Sequence, residues 1–202
     1  MKAQNSNMET QKKLHVGAQQ QLSDNVEYVL RDAQGNIKPI FQENKLFTFL
    51  MEKGIVSPHF FKIPFLLGNW SDRKVVANLK TNAGLAGMAS RCNGSGGEAA
   101  FTYIAVGTGT NAASAGDTTL QTELATSGLS RANGSVSRVT TTQTNDTAQV
   151  TNTFTVTGTA AITESGVLNA ASVGTLLARQ VFSSVNVVNG DSFACTWKVQ
   201  IS

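Results

Sequence analysis

The sequence predicts a mainly β protein. Its C-terminal half is expected to form an antiparallel β-sandwich, either immunoglobulin-like or jelly-roll-like, preceded by an N-terminal arm, a β-hairpin and a short helix. In residues 192–201 large apolar side chains occupy every second position, and the positions between them are polar except for Ala194, as in a half-buried strand. Turn residues such as Asn189-Gly190-Asp191 separate this run from other short β-like runs. Only 14% of residues are charged, so uncharged polar residues must cover much of the outer surface.

The chain begins with a polar stretch and a hairpin. Residues 1–23 are rich in Gln and Asn and hold too few apolar residues to fold alone, so we expect contact with another chain to order them. Residues 26–41 predict a hairpin whose turn lies at 32–36, and Pro39 restricts the returning strand to a sheet edge. Apolar residues at helical spacing then predict a short helix from Glu43 to Lys53.

Residues 55–69 are the most apolar part of the first half, and their prolines exclude a continuous helix. This segment either covers the chain's own core or contacts a neighbouring subunit. Large aromatic residues in and around it are the candidate partner interface: Phe47, Phe60, Phe61, Phe65 and Trp70. Residues 75–82 predict a further strand paired with the C-terminal domain. The Gly-rich residues 83–98 predict a linker that carries Cys92.

Three regions follow from these patterns: an arm at 1–23, a docking region at 24–98 and a β-sandwich domain at 99–202. Six or seven strands are expected in the last region, among them 101–106, 135–143, 147–157, 162–169, 175–188 and 192–201. A short helix is predicted over residues 118–124, with Asp117 as its N-cap.

The residues that could carry out chemistry are few. The only histidines, His15 and His59, are far apart, and no cluster has metal-ligand spacing. The glycines at 94–97 and 107–109 lack the rest of a phosphate or dinucleotide motif and predict turns or hinges. Glu164 is interpreted as a buried carboxylate bonded to backbone or to an arginine such as Arg179, with half of a catalytic carboxylate pair as the alternative. No catalytic, cofactor or metal residue is therefore assigned, and a non-enzymatic protein is expected.

Net charge, apolar runs and the two cysteines indicate which partners and which cellular compartment to expect. The net charge of +3 comes from scattered basic residues, mostly before residue 93, which does not indicate nucleic-acid binding. No apolar run is long enough for a membrane span and the start lacks a signal peptide, so we expect synthesis in the cytoplasm. Cys195 is expected in the core and Cys92 as a free thiol, in preference to a disulfide between them.

Two stretches resemble a pattern found in structural proteins of tailed bacteriophages. They are FTYIAVGTGTNAASAGDTTL (101–120) and ITESGVLNAASVGTLLARQVFSSVNVVNGDSFACTWKVQIS (162–202). The resemblance implies a virion component without catalytic residues or cofactors, attached to capsid, neck or tail, that forms homo-oligomers and contacts other virion proteins. A host surface is a further partner that it allows. The alternative is a receptor- or carbohydrate-binding tail-fibre module that uses loops 107–117 and 170–175.

Overall fold

The computed structural model describes residues 24–44 and 68–201, together with Leu50 and Lys53. These residues form thirteen strands and one longer helix. The strands are β1 (Asn25–Arg31), β2 (Ile37–Lys38), β3 (Ile40–Glu43), β4 (Gly68–Ser71), β5 (Lys74–Ala77), β6 (Leu79–Lys80), β7 (Tyr103–Gly107), β8 (Ala132–Asn133), β9 (Ser135–Val139), β10 (Thr147–Thr155), β11 (Ala160–Leu168), β12 (Leu176–Val187) and β13 (Ser192–Gln200). The helix, α1, spans Asn82–Asn93.

Two antiparallel sheets face each other. The first has the order β2-β1-β13-β10-β9, with β5 also paired to β1, and the second has the order β6-β12-β11-β7-β8. A separate two-stranded ribbon is made by β3 and β4. The predicted mainly β, antiparallel fold is confirmed, and the arrangement is sandwich-like.

The core lies between the two sheets and contains aromatic side chains from both. Tyr28 of β1 is fully buried. Its ring centroid lies 4.2 Å from that of Phe182 on β12 and 5.6 Å from that of Phe193 on β13. Its hydroxyl is 2.7 Å from Oγ of Ser165 on β11. One side chain therefore joins the sheets through both apolar packing and a hydrogen bond.

The alternation predicted for the last strand is confirmed over most of its length. Phe193, Cys195 and Trp197 are completely buried, while Ser192, Ala194, Thr196 and Lys198 on the other face are partly exposed. The end of the strand differs, because Gln200 of the predicted polar face is buried while 55% of the Ile201 surface is exposed. The described pairing with β1 begins at Asn25, opposite Lys198, so no described residue of β1 lies opposite Ile201.

Strands from the first half belong to the same sheets as those of the second half. β1 pairs with β13, β5 pairs with β1, and β6 pairs with β12. The strand predicted at 75–82 is thus present as two strands, of which β6 pairs with β12 of the C-terminal part, as predicted, whereas β5 pairs with β1. The division between 24–98 and 99–202 is therefore not a division between sheets.

The linker predicted at 83–98 is wrong, because most of this stretch forms α1. The Thr81 side chain caps the helix by accepting a hydrogen bond from the Gly84 N–H at 2.9 Å, and Gly94 ends it with a φ of 73°. Gly84 is a packing residue, since a Cβ there would lie 2.2 Å from the Leu177 carbonyl oxygen. Cys92 consequently lies on a helix, where it is exposed and free.

The short helix predicted over 118–124 is also absent, since these residues are irregular. Their backbone N–H groups find partners outside the segment: Leu124 donates to the Val106 carbonyl, and Gln121 and Thr122 donate to the Glu164 carboxylate. The helix predicted from Glu43 to Lys53 lies mostly outside the described residues, and Glu43 itself ends β3.

Replacing Tyr28 with phenylalanine tests the link between the sheets. We expect Tyr28→Phe to lower the free energy of unfolding by about 1–3 kcal/mol, because the buried Ser165 hydroxyl loses its tyrosine partner. The double variant Tyr28→Phe/Ser165→Ala should recover part of the loss, since it removes both polar groups. Urea unfolding followed by tryptophan fluorescence measures both values. A single variant as stable as the native chain would contradict the assignment.

Candidate functional site

The most concentrated polar group in the described chain surrounds Glu164 on β11. This carboxylate is completely buried. Oε1 accepts hydrogen bonds from the backbone N–H groups of Gly109 at 3.0 Å and Thr122 at 2.7 Å, and Oε2 accepts one from Gln121 at 3.0 Å. All three donors belong to residues 108–124, here called the covering loop. The loop therefore closes over the carboxylate.

Arg179 of β12 completes the cluster. Its Nε lies 2.8 Å from Glu164 Oε2, and its Nη1 lies 2.8 Å from Asp117 Oδ2 in the covering loop. Its Nη2 donates to the Asn111 carbonyl at 3.2 Å. Burial alone would lower the pKa of Arg179, but the two carboxylates raise it above its usual value. The guanidinium is therefore charged, almost fully buried, and bonded on all of its nitrogens.

The strand register explains why these two charges meet. Arg179 lies opposite Gly166, and Glu164 is two residues from Gly166 along β11, so the two side chains share one face as diagonal neighbours. A Cβ at Gly166 would lie 2.7 Å from a Leu120 side-chain carbon. Glycine therefore lets the covering loop approach the sheet at this point.

The geometry limits what the cluster can do chemically. Both Glu164 oxygens already accept hydrogen bonds, and no part of the side chain is exposed. A general acid or base must reach a proton on its substrate. Asp117 is a second carboxylate, but both carboxylates are bonded to the Arg179 guanidinium. The cluster acts as a clamp for the covering loop, which agrees with the interpretation of Glu164 as a buried, arginine-bonded carboxylate.

A second arginine ties the covering loop to the loop predicted at 170–175. Arg131 makes a two-pronged contact with Glu123 through Nε at 2.8 Å and Nη2 at 2.6 Å. Its Nη1 donates to the Ala170 and Val173 carbonyls at 3.0 and 2.7 Å. Arg131 thus joins Glu123, near the end of the covering loop, to the loop at 170–175, one of the two that the sequence singled out for possible ligand binding. Arg138 is exposed on β9.

Beside the covering loop lies a polar cavity of about 330 Å³. Its lining includes the side chains of Asn111, Asp117, Thr118, Thr119 and Gln121. Within the described residues, the lining of this cavity has no aromatic side chain that could stack on a sugar ring.

Trp70 is the predicted interface residue that the structure describes. It lies on β4, 70% of its surface is exposed, and its ring packs edge-on against Phe41 of β3 with centroids 5.6 Å apart. The other predicted interface residues, Phe47, Phe60, Phe61 and Phe65, lie outside the described residues, as do His15 and His59. The structure therefore brings Trp70 together with Phe41, which sequence reasoning did not single out.

Lys74 anchors this ribbon to both sheets. It is buried on β5, and its Nζ donates to the Phe41 carbonyl at 3.1 Å and to the Ser183 carbonyl of β12 at 3.3 Å. The same nitrogen lies 5.9 Å from the centre of the Phe182 ring. One ammonium group thus connects the ribbon, the first sheet and the second sheet.

Comparison with known proteins, metal-ligand geometry and helix hydropathy assign no function to the chain. Comparison of the chain with protein-family models, curated proteins and solved structures finds no match. Across the described ranges, no group of His, Cys, Asp and Glu side chains is placed to hold a metal ion. No helix in that part of the chain is long and apolar enough to cross a membrane.

Neutralising Glu164 tests the clamp. We expect Glu164→Gln to lower the free energy of unfolding by about 3–5 kcal/mol, because it leaves the buried Arg179 charge without its closest partner. The matched control is Glu123→Gln, whose partly exposed pair with Arg131 should cost about 1 kcal/mol or less. Denaturant unfolding of both variants gives the comparison. Equal losses would contradict the clamp.

Acid should weaken the Asp117 contact. Partial burial would raise the pKa of Asp117, but the Ser114 N–H and the Arg179 guanidinium lower it below its usual value. An aspartate whose pKa is lower in the folded state than in the unfolded state stabilises the folded protein at pH values above about 4. This stabilisation is lost as the pH falls through the pKa of the folded state. Native protein should therefore exceed Asp117→Asn in stability at pH 7, with the gap narrowing below about pH 4. Denaturant unfolding of both proteins at several pH values across this range measures the difference. A difference in the free energy of unfolding that does not change with pH would contradict the Asp117 contact.

Proposed function

We propose that this protein is a non-enzymatic structural component of a tailed-phage virion. In this proposal it is a capsid-decorating or a neck- or tail-attached protein that docks through its N-terminal region and displays the β-sandwich. Its partners would be other virion proteins and further copies of itself. The observation that carries the docking role is the exposed Trp70 on the β3–β4 ribbon.

The ribbon has the properties of an attachment point. A tryptophan buries about 150–250 Å² when covered, and tryptophan is enriched among the residues that contribute most to binding. Trp70 leaves 70% of its surface exposed. Lys74 bonds the ribbon to the second sheet through the Phe41 and Ser183 carbonyls, so the position of Trp70 is held by the core.

The bacteriophage resemblance supports the virion part of the proposal. Its characteristic residues include Thr163-Glu164-x-Gly166, Leu176-Leu177-Ala178-Arg179 and Asp117-Thr118-x-Leu120. These are the residues that form the clamp and pack the covering loop against the second sheet. In this chain the pattern therefore has an architectural role, which agrees with a family that carries no catalytic residues.

A second candidate is the receptor- or carbohydrate-binding tail-fibre module. The polar cavity beside the covering loop favours it, because amide and hydroxyl groups such as those of Asn111, Thr118 and Thr119 suit sugar hydroxyls. Binding on a glycan array that is lost in Thr118→Ala/Thr119→Ala would favour this module over a purely structural role.

Replacing Trp70 tests the docking role. We expect Trp70→Ser to weaken self-association at least about 30-fold, the factor for losing a strong interface residue, and to leave stability within about 0.5 kcal/mol of native. The matched control is Val136→Ser, which removes another exposed apolar side chain on the far edge strand β9. Sedimentation velocity over a concentration series measures association.

The virion assignment has its own measurement. Particles of the phage whose genome encodes this chain should contain it, as judged by mass spectrometry of purified virions, and the Trp70→Ser variant should be depleted from them. Absence of the native chain from purified particles would overturn the virion role. Incorporation of the variant at native levels would overturn the role of Trp70 alone.

A further inference from the structure

An apolar groove lies between α1 and the inner face of the first sheet. Its volume is about 270 Å³. Side chains from the helix and from both sheets line it, among them Met88, Phe101, Val150, Leu177, Trp197 and Ile201. An apolar cavity of about 150 Å³ holds one benzene molecule. The groove therefore has room for a bicyclic ring system or for an alkyl chain of roughly ten carbons.

The apolar surface of the groove continues onto the edge strand β9. Val136 of β9 lies opposite Val150, a residue of the lining, and directly opposed residues share one face of a sheet. Yet 61% of the Val136 surface is exposed. The described chain therefore leaves the inner face of the first sheet uncovered at its β9 edge.

Trp197, the largest side chain of the lining, has a polar atom without a partner. The residue is fully buried, and its indole Nε1 donates a hydrogen bond to no described residue. Cys195, two residues away on the same face, offers only a thiol sulfur, which is a weak acceptor. A buried donor that stays unpaired is unfavourable. The lining of the groove therefore includes a hydrogen-bond donor that the described chain leaves unsatisfied.

Two exposed arginines give this end of the sandwich a positive charge. Arg91 of α1 is the only charged residue among the described residues of the lining, and its Nη1 donates to the Glu98 carbonyl at 3.0 Å. Arg138 of β9 lies directly opposite Ala148, which also lines the groove. Neither arginine forms an ion pair with a carboxylate of the part of the chain that the structure describes. Two unpaired cations beside an apolar surface favour an anionic partner.

We propose that the groove binds an anionic amphiphile, a small molecule with an apolar body and one carboxylate, and that its carboxylate pairs with Arg91 and Arg138. The volume suits one medium-length alkyl chain and is too small for a lipid with two long chains. A stable protein partner covers about 800 Å² on each side, which is more than a groove of this size provides. This inference does not rest on the virion proposal.

Tryptophan fluorescence tests the proposal in the full chain. The sequence has two tryptophans, so Trp70→Phe leaves Trp197 in the groove as the only one. Bromine quenches tryptophan fluorescence on contact, and ω-bromoundecanoate, which is ionised at pH 7, should therefore quench Trp197 with a saturable titration curve. The neutral ω-bromoundecanol should bind about fivefold more weakly, the upper end of what an exposed ion pair contributes.

Substitution of the two arginines separates the charge from the apolar contact. In the Trp70→Phe background, Arg91→Gln/Arg138→Gln should remove the preference for the acid and leave the affinity for the alcohol within about twofold. The matched control is Arg31→Gln/Arg73→Gln, which removes two exposed arginines that do not line the groove. Loss of the preference in the control as well would overturn the proposal, because net charge alone would then account for it.

Filling the groove tests where the ligand binds. Ala148 is exposed as well as lining the groove, so Ala148→Phe should fold and weaken both ligands at least about tenfold, the factor for roughly two methylene groups kept out of the groove. Thr153→Phe, at an exposed position on the other face of β10, should bind both ligands as Trp70→Phe does. Urea unfolding checks that both variants are folded.

Three results would overturn the proposal. Equal affinities for the acid and the alcohol would show that the charge has no part in binding. Unchanged quenching in Ala148→Phe would place the ligand outside the groove. Absence of saturable quenching in Trp70→Phe would show that the groove takes no such ligand, as expected if another part of the chain or a second copy fills it.

Discussion

Removing a carboxylate and a guanidinium from water costs several kcal/mol for each ion unless both are paired and hydrogen-bonded, and this cost shapes the outer face of the second sheet. Glu164 and Arg179 are both essentially buried there. Their remaining partners come from the covering loop, as backbone N–H groups, a backbone carbonyl and the Asp117 carboxylate. Residues 121–124 form no helix because the N–H groups of Gln121 and Thr122 are directed at Glu164 and that of Leu124 at the Val106 carbonyl of β7.

The glycines around the ion pair follow from the same constraint. A Cβ at Gly107 would lie 2.4 Å from the Thr122 carbonyl oxygen, and one at Gly109 would lie 2.5 Å from Glu164 Oε1. Side chains at these positions would push the loop away from the carboxylate and leave it partly unsatisfied. The Gly107-Thr108-Gly109 sequence, which could be mistaken for part of a dinucleotide motif, is thus explained by close approach of backbone to a buried charge.

Much of the fold was predictable from local patterns, and the exceptions have physical causes. Two-residue alternation identified β13, β10 and β1, because one face of each is more buried than the other. The hairpin predicted over 26–41 is confirmed only in part, because its return strand stops at Lys38 and the residues after Pro39 pair with β4 instead. Glu164 with Arg179 was predictable as well, because a carboxylate in an apolar strand needs a partner. Helix α1 was missed because its glycines indicated flexibility. Gly84 instead permits contact with Leu177, a relation between residues far apart in sequence that no local pattern contains.

The same long-range pairing changes how the N-terminal region should be understood. β1 lies between β13 on one side and β2 and β5 on the other, so it is a central strand of the first sheet. Along the chain the β3–β4 ribbon lies between β2 and β5, the two strands that pair with β1 at the edge of the first sheet, and Lys74 bonds it to both layers. A partner that covers Trp70 would gain a surface whose position is already fixed by the core. Such preorganisation lowers the entropy cost of association. A docking domain on a flexible linker would lose more conformational freedom on binding.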